Sequence, residues 1–143
     1  MANEVAIRRA IAPATPLTLE LEGEQGKFIL NVKLAFDFNA FSRIEAKTGA
    51  NIFLGNIFSN LNATNTVVLF WAALQRHNPE YAGDEGLEVV GTYLTIENAP
   101  IVANALKNAF LASLSKDSRA AIEKAEKGAE KPADPQSAAP VQE

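Results

Sequence analysis

Two stretches of alternating residues near the N-terminus constrain the fold of this chain most. The segment 17–22 places leucine at every second position, and the segment 28–34 repeats the pattern with Phe, Leu, Val and Leu. Gly23 and Gly26 flank the short turn between them. The pattern predicts a β-hairpin with one buried face and one solvated face. Because an isolated hairpin is only marginally stable in water, other elements must cover its apolar face.

A helix with recognisable ends follows the hairpin. Asp37 is a good N-cap residue, and Gly49 stands where a helix closes in the left-handed conformation. Phe36 and Phe41 occupy the positions of a hydrophobic staple. The sequence therefore predicts a helix between Asp37 and Gly49 that covers the apolar face of the hairpin.

Further helical patterns extend to residue 114. The run 54–61 has helical spacing but contains Gly55, which costs about 1 kcal/mol relative to alanine. We expect a third helix from a cap at Thr64 or Asn65 to about His77, with Trp71 as its core anchor. A short helix capped by Asp84 and a longer one opened by Asn98 and Pro100 complete the set. The predicted fold class is α+β, with an N-terminal β-hairpin packed on a small bundle of about five helices.

The distribution of aromatic residues predicts the domain organisation. Every Phe, Tyr and Trp lies between Phe28 and Phe110. We expect a flexible N-terminal arm over 1–16, a single α+β domain over 17–114, and a polar tail over 115–143. The Ala, Glu and Lys content of the tail favours a helix at its start, and its three prolines favour disorder after that.

Composition excludes several classes of function. A net charge of -4 argues against nucleic-acid binding, which needs clustered Lys and Arg, and the pair Arg8-Arg9 is interpreted as a solvated arm. The absence of cysteine excludes disulfides and thiolate zinc sites. We expect no secretion signal and no membrane span, because no run approaches the roughly 20 apolar residues that a span requires.

The chain offers no constellation for catalysis. His77 is the only histidine, and its position at the end of a helix favours a capping or surface role. Asp84, Glu85 and Glu88 match no calcium loop and suit the first turn of a helix. We therefore expect no enzymatic activity, no cofactor and no bound metal.

Three segments together carry a resemblance to a known family. They are the leucine-rich hairpin, the run Phe36-Asp-Phe-Asn-Ala-Phe-Ser-Arg-Ile-Glu-Ala-Lys-Thr-Gly49, and the run Phe70-Trp-Ala-Ala-Leu-Gln-Arg-His-Asn-Pro79. In this order they resemble the tail assembly chaperones of long-tailed, siphovirus-like bacteriophages and gene transfer agents. The resemblance covers about residues 17 to 114 and is one of pattern, since the family has no catalytic motif to match.

The resemblance implies a partner and a place of action. It implies binding to the tape measure protein, which such chaperones coat before the tail tube polymerises around it, with the tail tube protein as a further candidate partner. It also implies action in the host bacterial cytoplasm, absence from the mature virion, and a longer product made by ribosomal frameshifting. We expect a monomer or small homo-oligomer that binds neither nucleic acid nor membrane.

The run after Gly49 is the candidate partner-binding strip. A glycine-weakened segment rich in Phe and Ile could lay its apolar side chains against a client helix. The alternative is that these side chains fill the core of the domain. The strip consists of Phe53, Leu54, Ile57 and Phe58.

Two other functions remain open. A structural tail or head-tail connector subunit would stay in the particle and use the hairpin edge to pair between subunits. A generic bacterial adaptor is the third reading. Self-assembly into rings or tubes would favour the structural subunit over the chaperone.

Overall fold

The computed structural model describes residues 8–52 and 57–114, and it confirms the α+β class. The described residues form one antiparallel hairpin and four α-helices. The predictions for Phe53 and Leu54, for Gly55 and for the tail 115–143 lie outside the described residues. The elements are β1 (Thr15–Gly23), β2 (Gly26–Leu34), α1 (Phe38–Thr48), α2 (Ala63–Leu74), α3 (Gly83–Gly91) and α4 (Ala99–Ala112), with 3₁₀ turns at Ile57–Asn60 and Pro79–Tyr81.

The hairpin has the register that its alternation predicts. Leu17 pairs with Val32 and Leu19 with Leu30, and all four side chains are buried on the same face. Gly26 adopts a positive φ of 118°, which glycine tolerates and which closes the turn after Gln25. Phe28, at the tip, lies on the face that was predicted to be buried, but its side chain is 39% exposed.

The predicted ends of α1 are confirmed. The Asp37 side chain accepts a hydrogen bond from the Ala40 backbone N–H at 2.9 Å. Gly49 has a φ of 75°, and its N–H donates to the Glu45 carbonyl. The rings of Phe36 and Phe41 stack with centroids 5.9 Å apart, as a hydrophobic staple requires.

α2 starts at least two residues earlier than predicted. Asn62, and neither Thr64 nor Asn65, is the N-cap, and its side chain accepts from the Asn65 N–H at 2.8 Å. Three neighbouring residues have similar capping chemistry, so the sequence alone did not select among them. The helix ends at Leu74, three residues before His77. The prediction of a buried Trp71 is confirmed.

Packing places α3 and fixes its first residue. Ala82, not Asp84, is the N-cap residue, and Asp84 lies in the first turn, where its carboxylate pairs with Lys47 at 2.6 Å. This ammonium lowers the pKa of the Asp84 carboxyl. Gly86 permits α3 to lie against the 3₁₀ turn, because a Cβ there would stand 1.9 Å from the Tyr81 carbonyl oxygen.

The core forms where α2 and α4 cover the hairpin, whereas α1, the predicted cover, packs mainly on α2. Phe70, Leu74 and Leu106 are fully buried between these elements and the leucine face. The run 57–60, predicted as part of an α-helix, forms a 3₁₀ turn. Phe58 from that turn joins an aromatic cluster whose other members are Phe36, Phe41 and Phe110.

Candidate functional site

A groove opens where the hairpin tip meets the connection between α3 and α4. Its volume is about 970 Å³, which is at the upper end of the range for ligand and side-chain pockets. We call it the tip groove, and it is lined by residues 20–28, by Thr92, Tyr93, Thr95, Glu97 and Asn98, and by Ile101 at the start of α4.

Apolar side chains in the tip groove are accessible. Phe28 is 39% exposed and Ile101 is 56% exposed, although both lie beside well-packed elements. The Phe28 ring makes an edge contact with Tyr93, with centroids 6.3 Å apart. Tyr93 in turn contacts Tyr81 edge-on at 6.0 Å. A row of aromatic contacts therefore links the tip to the turn before α3.

Burial affects the ionisation of Tyr81, one of the residues in this row. The Tyr81 hydroxyl lies 3.3 Å from the Tyr93 hydroxyl. Burial raises the pKa of Tyr81 above its ordinary value, and the hydrogen bond with Tyr93 raises it further. The neutral phenol is thus the form that the folded protein favours.

Side-chain hydrogen bonds hold the α3–α4 connection. Thr95 and Asn98 bond reciprocally: the Thr95 N–H donates to Asn98 Oδ1 at 2.8 Å, and the Asn98 N–H donates to Thr95 Oγ1 at 3.0 Å. Asn98 also donates to the Tyr93 carbonyl at 2.9 Å. This is capping-box geometry, and it fixes the wall of the groove that the connection supplies. Asn98 was predicted to open the last helix. Its side chain bonds to the turn that precedes α4.

The residues that line the tip groove carry a net negative charge. Four carboxylates line it, and Lys27 is the one cation among its lining residues. Lys27 lies opposite Glu22 in the hairpin register. We call the exposed apolar side chains of the groove, Phe28 and Ile101, its floor, and its four carboxylates its acidic rim. Together they suit an amphipathic segment whose apolar face is flanked by Lys or Arg. The four carboxylates belong to Glu20, Glu22, Glu24 and Glu97.

The structure describes half of the predicted partner-binding strip. Phe53 and Leu54 lie outside the described residues. Ile57 and Phe58 are half-buried and pack against the core, with the Phe58 and Phe110 ring centroids 5.3 Å apart. The strip as a docking surface stays a prediction. Neither Ile57 nor Phe58 lines the tip groove. The sequence analysis did not predict this groove, because it forms between segments that are far apart in the chain.

The other residues considered for chemistry occupy separate places. His77 is exposed, and its Nε2 lies 3.1 Å from the Ala12 carbonyl oxygen. Within residues 8–52 and 57–114, no three His, Asp or Glu side chains converge to hold a metal ion. None of the helices in these ranges has the length and apolar character of a membrane span.

Comparison of the chain with protein-family models, with curated proteins and with solved structures finds no match. The functional interpretation therefore depends on the sequence pattern and on the geometry of the described residues.

Proposed function

We propose that this protein is a non-enzymatic tail assembly chaperone of a long-tailed bacteriophage or gene transfer agent. It binds the tape measure protein and keeps it soluble until the tail tube assembles, with the tail tube protein as a further partner. It acts in the host bacterial cytoplasm and is absent from the mature virion. The order of the hairpin, the helix after Asp37 and the helix that contains Trp71 supports this proposal through the resemblance described above.

The observation that carries the proposal is the accessible apolar floor of the tip groove. A long, partly apolar helix needs its apolar face covered before assembly, and a groove with exposed Phe28 and Ile101 offers such cover. The acidic rim would attract basic residues beside that face and discourage binding of acidic segments. The same rim would repel nucleic acid.

The tip groove supports this role better than the predicted strip does. Ile57 and Phe58 already contact the core, so exposing them to a client would cost part of that packing. Phe28 and Ile101 are accessible without any rearrangement. The strip remains a second docking surface to be tested beside the groove.

Co-purification from cells that express the surrounding genes tests the proposal. The tagged chain is expected to capture a very long helical protein and to be missing from purified particles by mass spectrometry. Ile101→Glu and Phe28→Ser are expected to lose the client, because each places a polar group on the groove floor. Ile11→Glu is the matched control, since Ile11 is exposed and lies outside the groove. Loss of the client in Leu54→Ser alone would assign binding to the strip.

A structural tail or head-tail connector subunit is the second candidate, and the hairpin edges favour it. Near the end of β2, the Lys33 carbonyl accepts from Asn78 and the Ala35 N–H donates to the Ala73 carbonyl. The backbone of 27–31 makes no hydrogen bond outside the hairpin to any described residue. An open edge of this kind can pair with another strand. Finding the chain in particles at fixed stoichiometry would establish this function and refute the chaperone.

A further inference from the structure

A second pocket lies beside the start of α1 and the end of α2. Its volume is about 670 Å³. We call it the arginine pocket, because three arginines line it together with an aromatic residue and one carboxylate. These residues are Arg9, Arg43, Arg76, Phe38 and Asp37.

Arg76, one of the three arginines, is held by contacts within the fold. Arg76 donates to Asp37 Oδ2 at 3.0 Å and also donates to the Ala10 carbonyl. Both partners in the ion pair are largely buried, with side chains 20% exposed. The other Asp37 oxygen caps α1 by accepting from the Ala40 N–H. The single negative charge of Asp37 is therefore already paired with the Arg76 guanidinium.

The other two arginines have no carboxylate partner among the residues that the structure describes. Arg43 is half-buried and Arg9 is exposed, and neither forms an ion pair or hydrogen bond within the described part of the chain. The backbone beside Arg9 is held in place, because the carbonyls of Ala10 and Ala12 contact Arg76 and His77. Two guanidinium groups thus line one pocket without an ion-pair partner among residues 8–52 and 57–114, in a chain whose net charge is -4.

An accessible aromatic side chain accompanies these charges. Phe38 lines the arginine pocket and is 68% exposed, with one edge against Phe41 at a centroid distance of 5.8 Å. A partner that fits must supply carboxylates for the guanidiniums, and an apolar side chain next to those carboxylates can pack on the exposed part of this ring. The two unpaired guanidiniums, with Asp37 close by, match a short segment with a few carboxylates better than a nucleic-acid backbone.

We propose that the arginine pocket is a docking site for an acidic linear segment of a partner protein, in which an apolar residue accompanies the carboxylates. The carboxylates pair with Arg43 and Arg9, and the apolar residue packs on Phe38. The site is separate from the tip groove, and its charge is of the opposite sign. It does not depend on the identity of the client proposed above.

Fluorescence anisotropy with defined peptides tests this inference on the full chain. The probe is a labelled 12-residue peptide that alternates Glu with Leu, and the comparison peptide carries Lys in place of each Glu. We expect only the acidic peptide to bind, with an affinity that falls as salt is raised. Equal binding of both peptides, or no binding of either, would overturn the proposal.

Charge-reversal variants locate the binding. Arg43→Glu and Arg9→Glu are each expected to lower the affinity for the acidic peptide by about tenfold, because each loses one charge-assisted contact. Arg8→Glu is the matched control, because Arg8 is exposed and does not line the pocket. An equal loss in the control would show general attraction to basic residues and would refute a defined site.

Two further measurements keep the result interpretable. Arg9 lies before β1, so its reversal tests the site even if Arg43→Glu fails to fold. A single-stranded oligonucleotide of 12 nucleotides is the competitor for the alternative ligand class. Displacement of the peptide by the oligonucleotide at equal concentration would identify an unselective anion site and overturn the peptide assignment.

Discussion

The two ends of the hairpin have the same sequence pattern and different environments. At its base, Leu34 is completely buried, and Ala35 bonds to the end of α2. At its tip, Phe28 occupies an equivalent inward position but remains 39% exposed and lines a groove. The alternation specifies the face to which each side chain points. The coverage of that face depends on where the helices end.

This difference separates stability from binding. α2 and α4 cover the base of the hairpin, so apolar residues there contribute to the core. At the tip, Phe28 contacts Tyr93 edge-on and remains partly accessible for a partner. Substitutions at the two ends should therefore affect different measurements.

The largest expected effect is on the core beside the base. Trp71→Ala should lower the free energy of unfolding by about 3 to 5 kcal/mol, because it removes a buried indole. The Nε1 of Trp71 also donates to the Gly83 carbonyl at 3.0 Å. Since Trp71 is the only tryptophan, unfolding is followed by circular dichroism in denaturant. Trp71→Phe keeps a ring without the donor and is expected to cost less, and a change below about 1 kcal/mol in Trp71→Ala would contradict its place in the core.

A direct comparison of base and tip comes next. Leu34→Ala should cost about 2 to 5 kcal/mol, as for other fully buried leucines. Phe28→Ala should cost only about 1 kcal/mol, which is the size of its edge contact with Tyr93. Chemical denaturation of both variants measures the difference. Equal costs would show that the tip is as well packed as the base and would weaken the assignment of the tip groove.

A pair of glycines in α3 tests the close packing below the groove. Gly86→Ala should destabilise the fold by about 1 to 3 kcal/mol, because its Cβ would overlap the Tyr81 carbonyl and displace α3 or the turn. Gly91→Ala is the matched control in the same helix, where the added Cβ meets only Val67 Cγ1 at 3.8 Å. The control is expected to be neutral or to stabilise by up to about 1 kcal/mol. The shifts in Tm of the two variants, measured by thermal unfolding, should therefore be opposite in sign or very different in size.

The smallest expected effect is a pH dependence near the tip. The pKa of Tyr81 is raised in the folded state, so the unfolded chain loses this proton first as the pH rises. The stabilisation that Tyr81 provides is fully present below a pH of about 10, the ordinary pKa of tyrosine, and is lost progressively above it. Stability measured from pH 9 upward should fall for this reason, and Tyr81→Phe should flatten the fall. An unchanged slope in the variant would show that Tyr81 does not contribute.

Local sequence signals predicted much of the fold. The alternation gave the hairpin and its register, and Asp37 and Gly49 gave both ends of α1, because these features depend on neighbouring residues only. The start of α2 was wrong by two residues because several neighbouring side chains can cap a helix. Asp84 was wrongly predicted as a cap because α3 begins at Gly83, which places Asp84 within its first turn.

The tip groove and the arginine pocket could not be predicted in the same way. Each combines residues from segments separated by more than 30 positions, and no spacing rule connects Phe28 to Ile101 or Arg9 to Arg43. The sequence by itself determined most of the secondary structure, the faces that must be buried and the lack of thiol chemistry. Only the tertiary structure decided which apolar and charged side chains stay accessible together, because accessibility depends on where distant elements end against one another.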